Sequence, residues 1–242
     1  MLNFIQAEFY KLKRSKLIFV VLLGLFAPGL LMFTGLVFGN IGPQKMEYFL
    51  SSINMYGLMM FNAIVFVLLA SYLIVIEYND HTLKSVLTIP ISKTKFVLGK
   101  FAVFMILVGL FTVVNFVFMV ILGSIGGTTD INLDIILKYF VQFLVGNLLL
   151  GISLTPFIFL SLLFKNVVPI VIGGVFVSLS NMFISESTYS PLSPFNSPYL
   201  IATNTLSHYS YGTVTPVLII IVTAVVGLIL SLIYFNKTDV YL

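Results

Sequence analysis

The chain has 242 residues, of which 60% are hydrophobic and 8% charged, with a net charge of +4. An ordinary soluble domain has about a quarter of its residues charged. No soluble interior at this length accommodates so much apolar surface, so the composition excludes a soluble globule and requires a bilayer that solvates apolar helix faces directly.

Residues 2 to 16 place Leu2, Ile5, Phe9 and Leu12 on one helical face, with Lys11, Lys13, Arg14 and Lys16 close behind. An apolar stripe with a basic end fits a helix lying in the inner membrane interface, and a positive flank that only orients the first span has the same composition. The uncharged run Leu17 to Phe38 is long enough to cross a hydrocarbon core of about 30 Å and too long for a signal-peptide core, so it reads as a retained first span with Pro28 inside it. Gly35 and Gly39 stand at GxxxG spacing, which admits close helix contact and which 17 glycines also produce by chance. Asn40 to Met55 reads as a short outer loop. Tyr56 to Ile76 reads as span two, with Asn62 as its strongly polar interior residue.

Glu77 to Lys100 is the substantial polar interruption in the middle of the chain. Asp80 or Asn79 is placed to cap a short helix over Thr82 to Thr88 with Leu83, Val86 and Leu87 on one face, ended by Pro90. Such a helix suits the grip of a soluble partner, whereas an ordinary inner loop with its apolar face on lipid uses the same residues. Span three follows from Phe101 to Leu122 with Asn115 inside, and Gly123 to Asp134 forms an outer loop. The fourth apolar run, Tyr139 to Phe164, holds Gln142, Asn147 and Pro156 and exceeds what a bilayer needs, which predicts a tilted or broken helix. Lys165 and Asn166 make a tight inner turn before span five, Val167 to Ile184, which carries Gly173 and Gly174. In the long outer loop from Ser185 to Thr213, Pro191, Pro194 and Pro198 disfavour a continuous helix, and Leu200 to Leu206 is the stretch suited to a short one. Val214 to Phe235 is span six.

This layout is one all-α membrane domain over residues 1–242, with six spans and both termini in the cytoplasm. Lys11, Lys13, Arg14, Lys16, Lys84, Lys93, Lys95, Lys100, Lys165 and Lys237 then lie inside, ten of the 12 basic residues. That bias is what orients short loops. Basic residues beside hydrophobic spans point to lipid headgroups and not to nucleic acid. Catalysis finds little support: cysteine is absent, His81 and His208 fall on opposite sides of the membrane, and no HExxH, GxSxG or GxxxxGK[ST] motif occurs. The acidic residues all lie outside the apolar runs, which weighs against an ion-coupled secondary transporter or channel, the alternative to a protein driven by a separate energy source. Asn62, Asn115, Gln142 and Asn147 are candidate pathway residues, and buried polar packing explains each equally well.

The N-terminal AEFYKLKRSK helix, the segment from Glu77 through TLKSVLTIPISKTKFVLGK, the six spans and the closing Phe235 to Asp239 together resemble the permease subunit of ABC-2 type exporters. Within these, the chain is similar to bacitracin-type and lantibiotic-immunity permeases and to exporters of amphipathic staphylococcal toxin peptides. The resemblance covers essentially the whole chain, and its specific part is the inner loop, where Glu77, Thr82, Leu83, Lys84, Pro90 and Lys100 match. His81 stands where glycine is common and Lys93 where arginine is common. The resemblance implies a multi-pass permease of the bacterial cytoplasmic membrane that pairs with a second copy or a related permease and exports peptides. It also implies two partner ABC ATPase subunits, which bind the ATP and Mg that this chain does not. The permease family's coupling helix would fall on Asp80, His81, Thr82, Leu83, Lys84, Val86, Leu87 and Thr88, beside the interfacial helix of Leu2, Ile5, Phe9, Leu12, Lys13 and Arg14. Dimer contact would involve spans one and five, at Gly35, Gly39, Gly173 and Gly174.

Overall fold

The computed structural model of the chain describes residues 2–13, 15–39, 44–79 and 92–237. Nine α-helices follow in order among the described residues: α1 (Leu2–Lys13), α2 (Leu17–Phe38), α3 (Met46–Asn79), α4 (Lys93–Ile125), α5 (Leu133–Ser153), α6 (Thr155–Phe164), α7 (Val167–Ile184), α8 (Ser197–Thr203) and α9 (Val214–Lys237). Helices α2, α3, α4, α5, α7 and α9 are long and apolar enough to cross a membrane, which gives the six expected spans. The segment bearing Asp80, His81, Thr82, Leu83, Lys84, Val86, Leu87, Thr88 and Pro90 lies outside the described residues, as do Arg14 and the side chains of Leu2 and Lys13.

Helix α3 is the post around which the others stand. In its most apolar stretch 67% of residues are buried, against 22% for α2, α7 and α9. It starts at Met46 and not at Tyr56, so the expected outer loop is mostly helix. Met46, Phe49, Leu50 and Ile53 recur at helical spacing and are all fully buried; Gly42, Pro43, Lys45 and Glu47 at or before this stretch are what make it read as a loop in sequence. At 1.5 Å per residue the 34-residue helix is about 50 Å long, well beyond a core of about 30 Å. Helix α4 is similarly long because Ser92 caps it, its side chain accepting from the Lys95 N–H at 3.3 Å. Lys93, Lys95 and Lys100 therefore ride on a helix that the sequence had assigned to a loop.

The fourth apolar run breaks where Pro156 removes a donor. Helix α5 stops at Ser153, Leu154 leaves helical geometry, and α6 restarts with Pro156 in its first turn. Lys165 takes a left-handed conformation (φ 51°) and Asn166 caps α7 through the Val168 N–H. In the long outer loop the helix is Ser197–Thr203, not Leu200 to Leu206, because Pro198 suits a first turn and Asn204 ends the helix at φ 57°. This segment is packed into the bundle: Ser190, Asn196 and Ser197 are fully buried.

Basic residues divide between the two ends of the bundle. Lys11, Lys93, Lys100 and Lys165 sit at the end holding α1, where Lys165 lies over the Tyr78 ring at 5.2 Å. Lys45 and Lys138 sit at the far end, in exposed ion pairs with Asp130 (3.3 Å) and Glu47 (2.9 Å). There the α2–α3 and α4–α5 connections are zipped, since Thr129 donates to the Gln44 carbonyl and accepts from the Met46 N–H.

Helices α6 and α9 make their closest approach at Gly227, where a Cβ would stand 2.6 Å from the Pro156 nitrogen and 2.7 Å from the Thr155 carbonyl carbon. Backbone cannot step aside as a flexible side chain can. Gly227→Ala should therefore lower stability by about 1–3 kcal/mol through overpacking. Gly35→Ala, with open space around its α-carbon, should leave stability unchanged or raise it by about 0.5–1 kcal/mol. Thermal denaturation of the detergent-solubilised protein, followed by size-exclusion chromatography, distinguishes the two.

Candidate transmission site

Four charged side chains close a ring at the α1 end. Lys100 donates to Glu8 Oε2 at 2.6 Å and to Glu77 Oε1 at 2.7 Å; Lys11 donates to Glu77 Oε1 at 2.6 Å and to Glu8 Oε1 at 3.0 Å. Lys100, Glu8 and Glu77 are at most 2% exposed. Two carboxylates face two ammonium groups, so the ring is neutral as a unit, as a buried charge cluster must be. Burial alone would lower the Lys11 pKa, but its hydrogen bond to Glu77 and the Glu8 and Glu77 charges outweigh it and hold the value above that of an ordinary lysine. Lys11 thus stays charged throughout the physiological range.

The ring binds three helices that are far apart in sequence. Glu8 and Lys11 come from α1, Glu77 from the last turns of α3, and Lys100 from the early part of α4. An aromatic cluster adjoins it: Lys100 Nζ lies 5.5 Å from the Phe96 ring, which stacks on Phe235 at 5.2 Å and meets Phe4 edge-on at 6.0 Å. Phe4 sits so close to Gly99 that a Cβ there would approach its ring to 2.6 Å. Lys93 also donates to the Asn236 carbonyl at 3.3 Å, fastening the end of α9 to the start of α4. Both flanks of the 80–91 segment are therefore clamped to α1 and α9. Of the α1 residues assigned to the interface, Ile5 and Phe9 pack on the core and Leu12 is buried.

Glu8, Lys11 and Lys100 were not among the site residues expected from sequence. The signal was present in α1, because Glu8 falls between Ile5 and Leu12 on the apolar stripe, where a lone carboxylate needs a buried partner. Glu77 was expected at the coupling site, and it meets the ring rather than the surface.

A second polar cluster lies mid-bundle, where α3 contains a π turn, Gly57–Phe61. Asn62, directly after the turn, donates through Nδ2 to Asn147 Oδ1 at 2.7 Å, and Asn147 donates to the Phe143 carbonyl at 2.9 Å. Ser178 of α7 donates to the Met60 carbonyl within the turn at 3.0 Å. Gly146 lets Leu58 and Ala202 of α8 approach the same place, so the outer segment reaches down to the level of the π turn. Thus two of the four candidate pathway residues, Asn62 and Asn147, are joined. Asn115 is buried on α4 with Oδ1 unbonded, and Gln142 is half-buried. Asn54, not singled out from sequence, is buried with both amide atoms unbonded. Among the described residues no three His, Cys, Asp or Glu side chains converge as a metal site requires.

The glycines assigned to dimer contact differ in their surroundings. Gly35 faces open space, Gly173 backs onto Phe157 at 3.5 Å from a notional Cβ, and Gly174 backs onto Val67 of α3 at 3.0 Å. Gly174 therefore serves the α3–α7 contact inside the chain. Gly39 ends α2 with its N–H on the Gly35 carbonyl.

The Asn62–Asn147 bond should behave as a membrane interhelical hydrogen bond, with a coupling energy of about 0.6–1.7 kcal/mol. A double-mutant cycle of Asn62→Ala and Asn147→Ala, read by unfolding in mixed micelles, measures it.

The pattern of the ABC-2 family transporter proteins matches residues 4–181, from α1 into the last turn of α7. The bacitracin transport permease protein BCRB of Bacillus licheniformis is 29% identical over 204 residues, which are 82% of this chain and 95% of that protein. Proteins of this family are membrane transport components and not themselves catalysts, and they work in general with an ABC ATPase. The family pattern spans well over half of the chain and takes in five of its six membrane-spanning helices: the chain belongs to the ABC-2 family of transporters, as a multi-pass permease subunit of the bacterial cytoplasmic membrane.

Proposed function

We propose that the chain is the membrane subunit of an ATP-driven exporter that moves amphipathic or hydrophobic peptides out of the cytoplasm or the bilayer. The observation that carries this reading is the buried charge ring clamping both flanks of the 80–91 segment. Two ABC ATPase subunits bind ATP and Mg and engage the cytoplasmic side of a pair of permeases. The α1 end faces the cytoplasm, in keeping with the lysine bias. The Leu83, Val86 and Leu87 face of the coupling helix docks in an ATPase groove, and its basic rim meets acidic surface.

Movement of the coupling segment on ATP binding reaches α3 through Glu77 and α4 through Lys100, and the ring makes α1 follow. Uncharged spans suit an apolar cargo that enters from the side, and the similarity to a bacitracin transport permease supports a peptide cargo. The outward faces of α2 and α7, with Phe19, Leu23, Phe176 and Phe183 exposed, suit pairing of two permeases.

Leu83→Asp combined with Leu87→Asp should abolish co-purification with the partner ABC ATPase, and export with it. Retention of both would refute the docking assignment, and transport driven by an ion gradient without nucleotide would refute the energy source.

Breaking the ring supplies a second measurement. Lys100→Met alone leaves two carboxylates against one ammonium and should cost about 3–5 kcal/mol. Glu77→Gln with Lys100→Met leaves the neutral Glu8–Lys11 pair and should cost less than the sum of the single changes. The double variant should fold and bind the ATPase, yet hydrolyse ATP with export reduced at least tenfold. Vesicle export assays alongside phosphate release check this.

A further inference from the structure

A groove of about 690 Å³ runs between α1, α2 and α4, outside the charge ring. Its floor is Leu12, Leu107 and Phe111, each 4% exposed, and Phe9, Ile18 and Leu22 form its walls. It follows α4 from Leu107 to Val114, about 10 Å of helix at 1.5 Å per residue. Polar groups are confined to α1, where Gln6 and Tyr10 border the groove, and Tyr10 is 73% exposed. The volume lies in the range of about 300–1,000 Å³ usual for ligand pockets.

We propose that this groove is a binding site for an anionic phospholipid, holding one acyl chain along α4 with the headgroup at the α1–α2 turn. Charge complementarity selects this occupant. Ile18 and Leu22 are the second and sixth residues of α2, so the groove begins at the membrane interface, directly beside Lys16. Lys16 is exposed there. Lys11, the other cation near the turn, is committed to Glu8 and Glu77. Juxtamembrane cations attract anionic headgroups, the Gln6 amide and Tyr10 hydroxyl supply hydrogen bonds at the rim, and a wall of Phe and Leu accepts only hydrocarbon. A peptide cargo with basic residues would meet the same turn as a repulsive one. A bound lipid in this position props α1 against α2 and α4, so the charge ring and the lipid hold the same helix from two sides.

The chain contains no tryptophan, so a single introduced indole reports without background. Leu110, 48% exposed at the groove, becomes the reporter as Leu110→Trp, and Val114→Trp is a second reporter at the groove's far end. Leu230→Trp, on the outward face of α9 towards the same end of the bundle, reports ordinary annular lipid. The full chain in phosphatidylcholine vesicles is titrated with brominated phosphatidylglycerol or brominated phosphatidylcholine, and folding is checked by monodisperse elution. Both groove reporters should be quenched at several-fold lower mole fractions of the brominated phosphatidylglycerol, whereas Leu230→Trp should show no preference. Lys16→Gln should reduce the preference about fivefold with no change in thermal stability. Equal quenching by the two lipids at Leu110→Trp and Val114→Trp would overturn the proposal in favour of a nonspecific annular surface. No quenching by either lipid would overturn it in favour of a groove closed by protein, a second copy or the cargo.

Discussion

Two buried carboxylates and two ammonium groups set the mechanical character of one end of this protein. Removing a charge from water costs several kcal/mol, and only close opposite charges with hydrogen bonds offset it. Glu8, Lys11, Glu77 and Lys100 all meet that condition when α1, the end of α3 and the start of α4 are held together. Separating α3 or α4 strands a charge in low dielectric, and lifting α1 away breaks the Lys100–Glu8 and Lys11–Glu77 pairs. They therefore behave as one body, and the segment between α3 and α4 is rooted in it at both ends. The aromatic stack of Phe4, Phe96 and Phe235 seals that body and extends it to α9.

Elsewhere the bundle is held differently. The far end rests on a buried apolar cluster around Met46, Phe49, Leu50 and Ile53 and on the backbone zip at Thr129, with the exposed ion pairs Lys45–Asp130 and Lys138–Glu47 adding about 0–1 kcal/mol each. Mid-bundle, the π turn of α3 interrupts the regular hydrogen-bond ladder and is held by Ser178 from a neighbouring helix. Helix α5 ends at Ser153 and α6 begins at Thr155, so the fourth span has its own joint.

Much of this was legible in the sequence. Uninterrupted apolar runs located six spans, and Pro156 announced the break in the fourth because the loss of its N–H is a local fact. The partition of lysines between the two ends also emerged, with Lys11, Lys93, Lys100 and Lys165 at one end and Lys45 and Lys138 at the other. What escaped were features decided by a helix face or a remote partner. Met46 to Met55 looked like part of a loop because Gly42, Pro43, Lys45 and Glu47 stand at or before its start, although four of the five residues on its buried face, Met46, Phe49, Leu50 and Ile53, are apolar. Glu8 was counted as lying outside the apolar runs, which is correct along the chain and misleading in space: its partner Lys100 is 92 positions away. The π turn has no residue signature, since Gly57–Phe61 reads as ordinary helix.

The combination of a rigid body with two joints bears on how force applied at one end can reach the other. A helix about 50 Å long would transmit an axial push without loss if it were regular. Helix α3 is not: its ladder changes at Gly57–Phe61, at the level where α8 descends from the outer loop against Gly146. A tilt of the clamped body therefore bends α3 at the π turn before it moves the zipped far end. The groups that feel the bend first are Leu58, Asn62, Asn147 and Ala202. Separating Asn62 from Asn147 gives up a bond of only about 0.6–1.7 kcal/mol, less than the several kcal/mol needed to open the charge ring. Of these two polar contacts the Asn62–Asn147 bond is the weaker and the charge ring the stronger, so a load that reached both would part the amides before the charges.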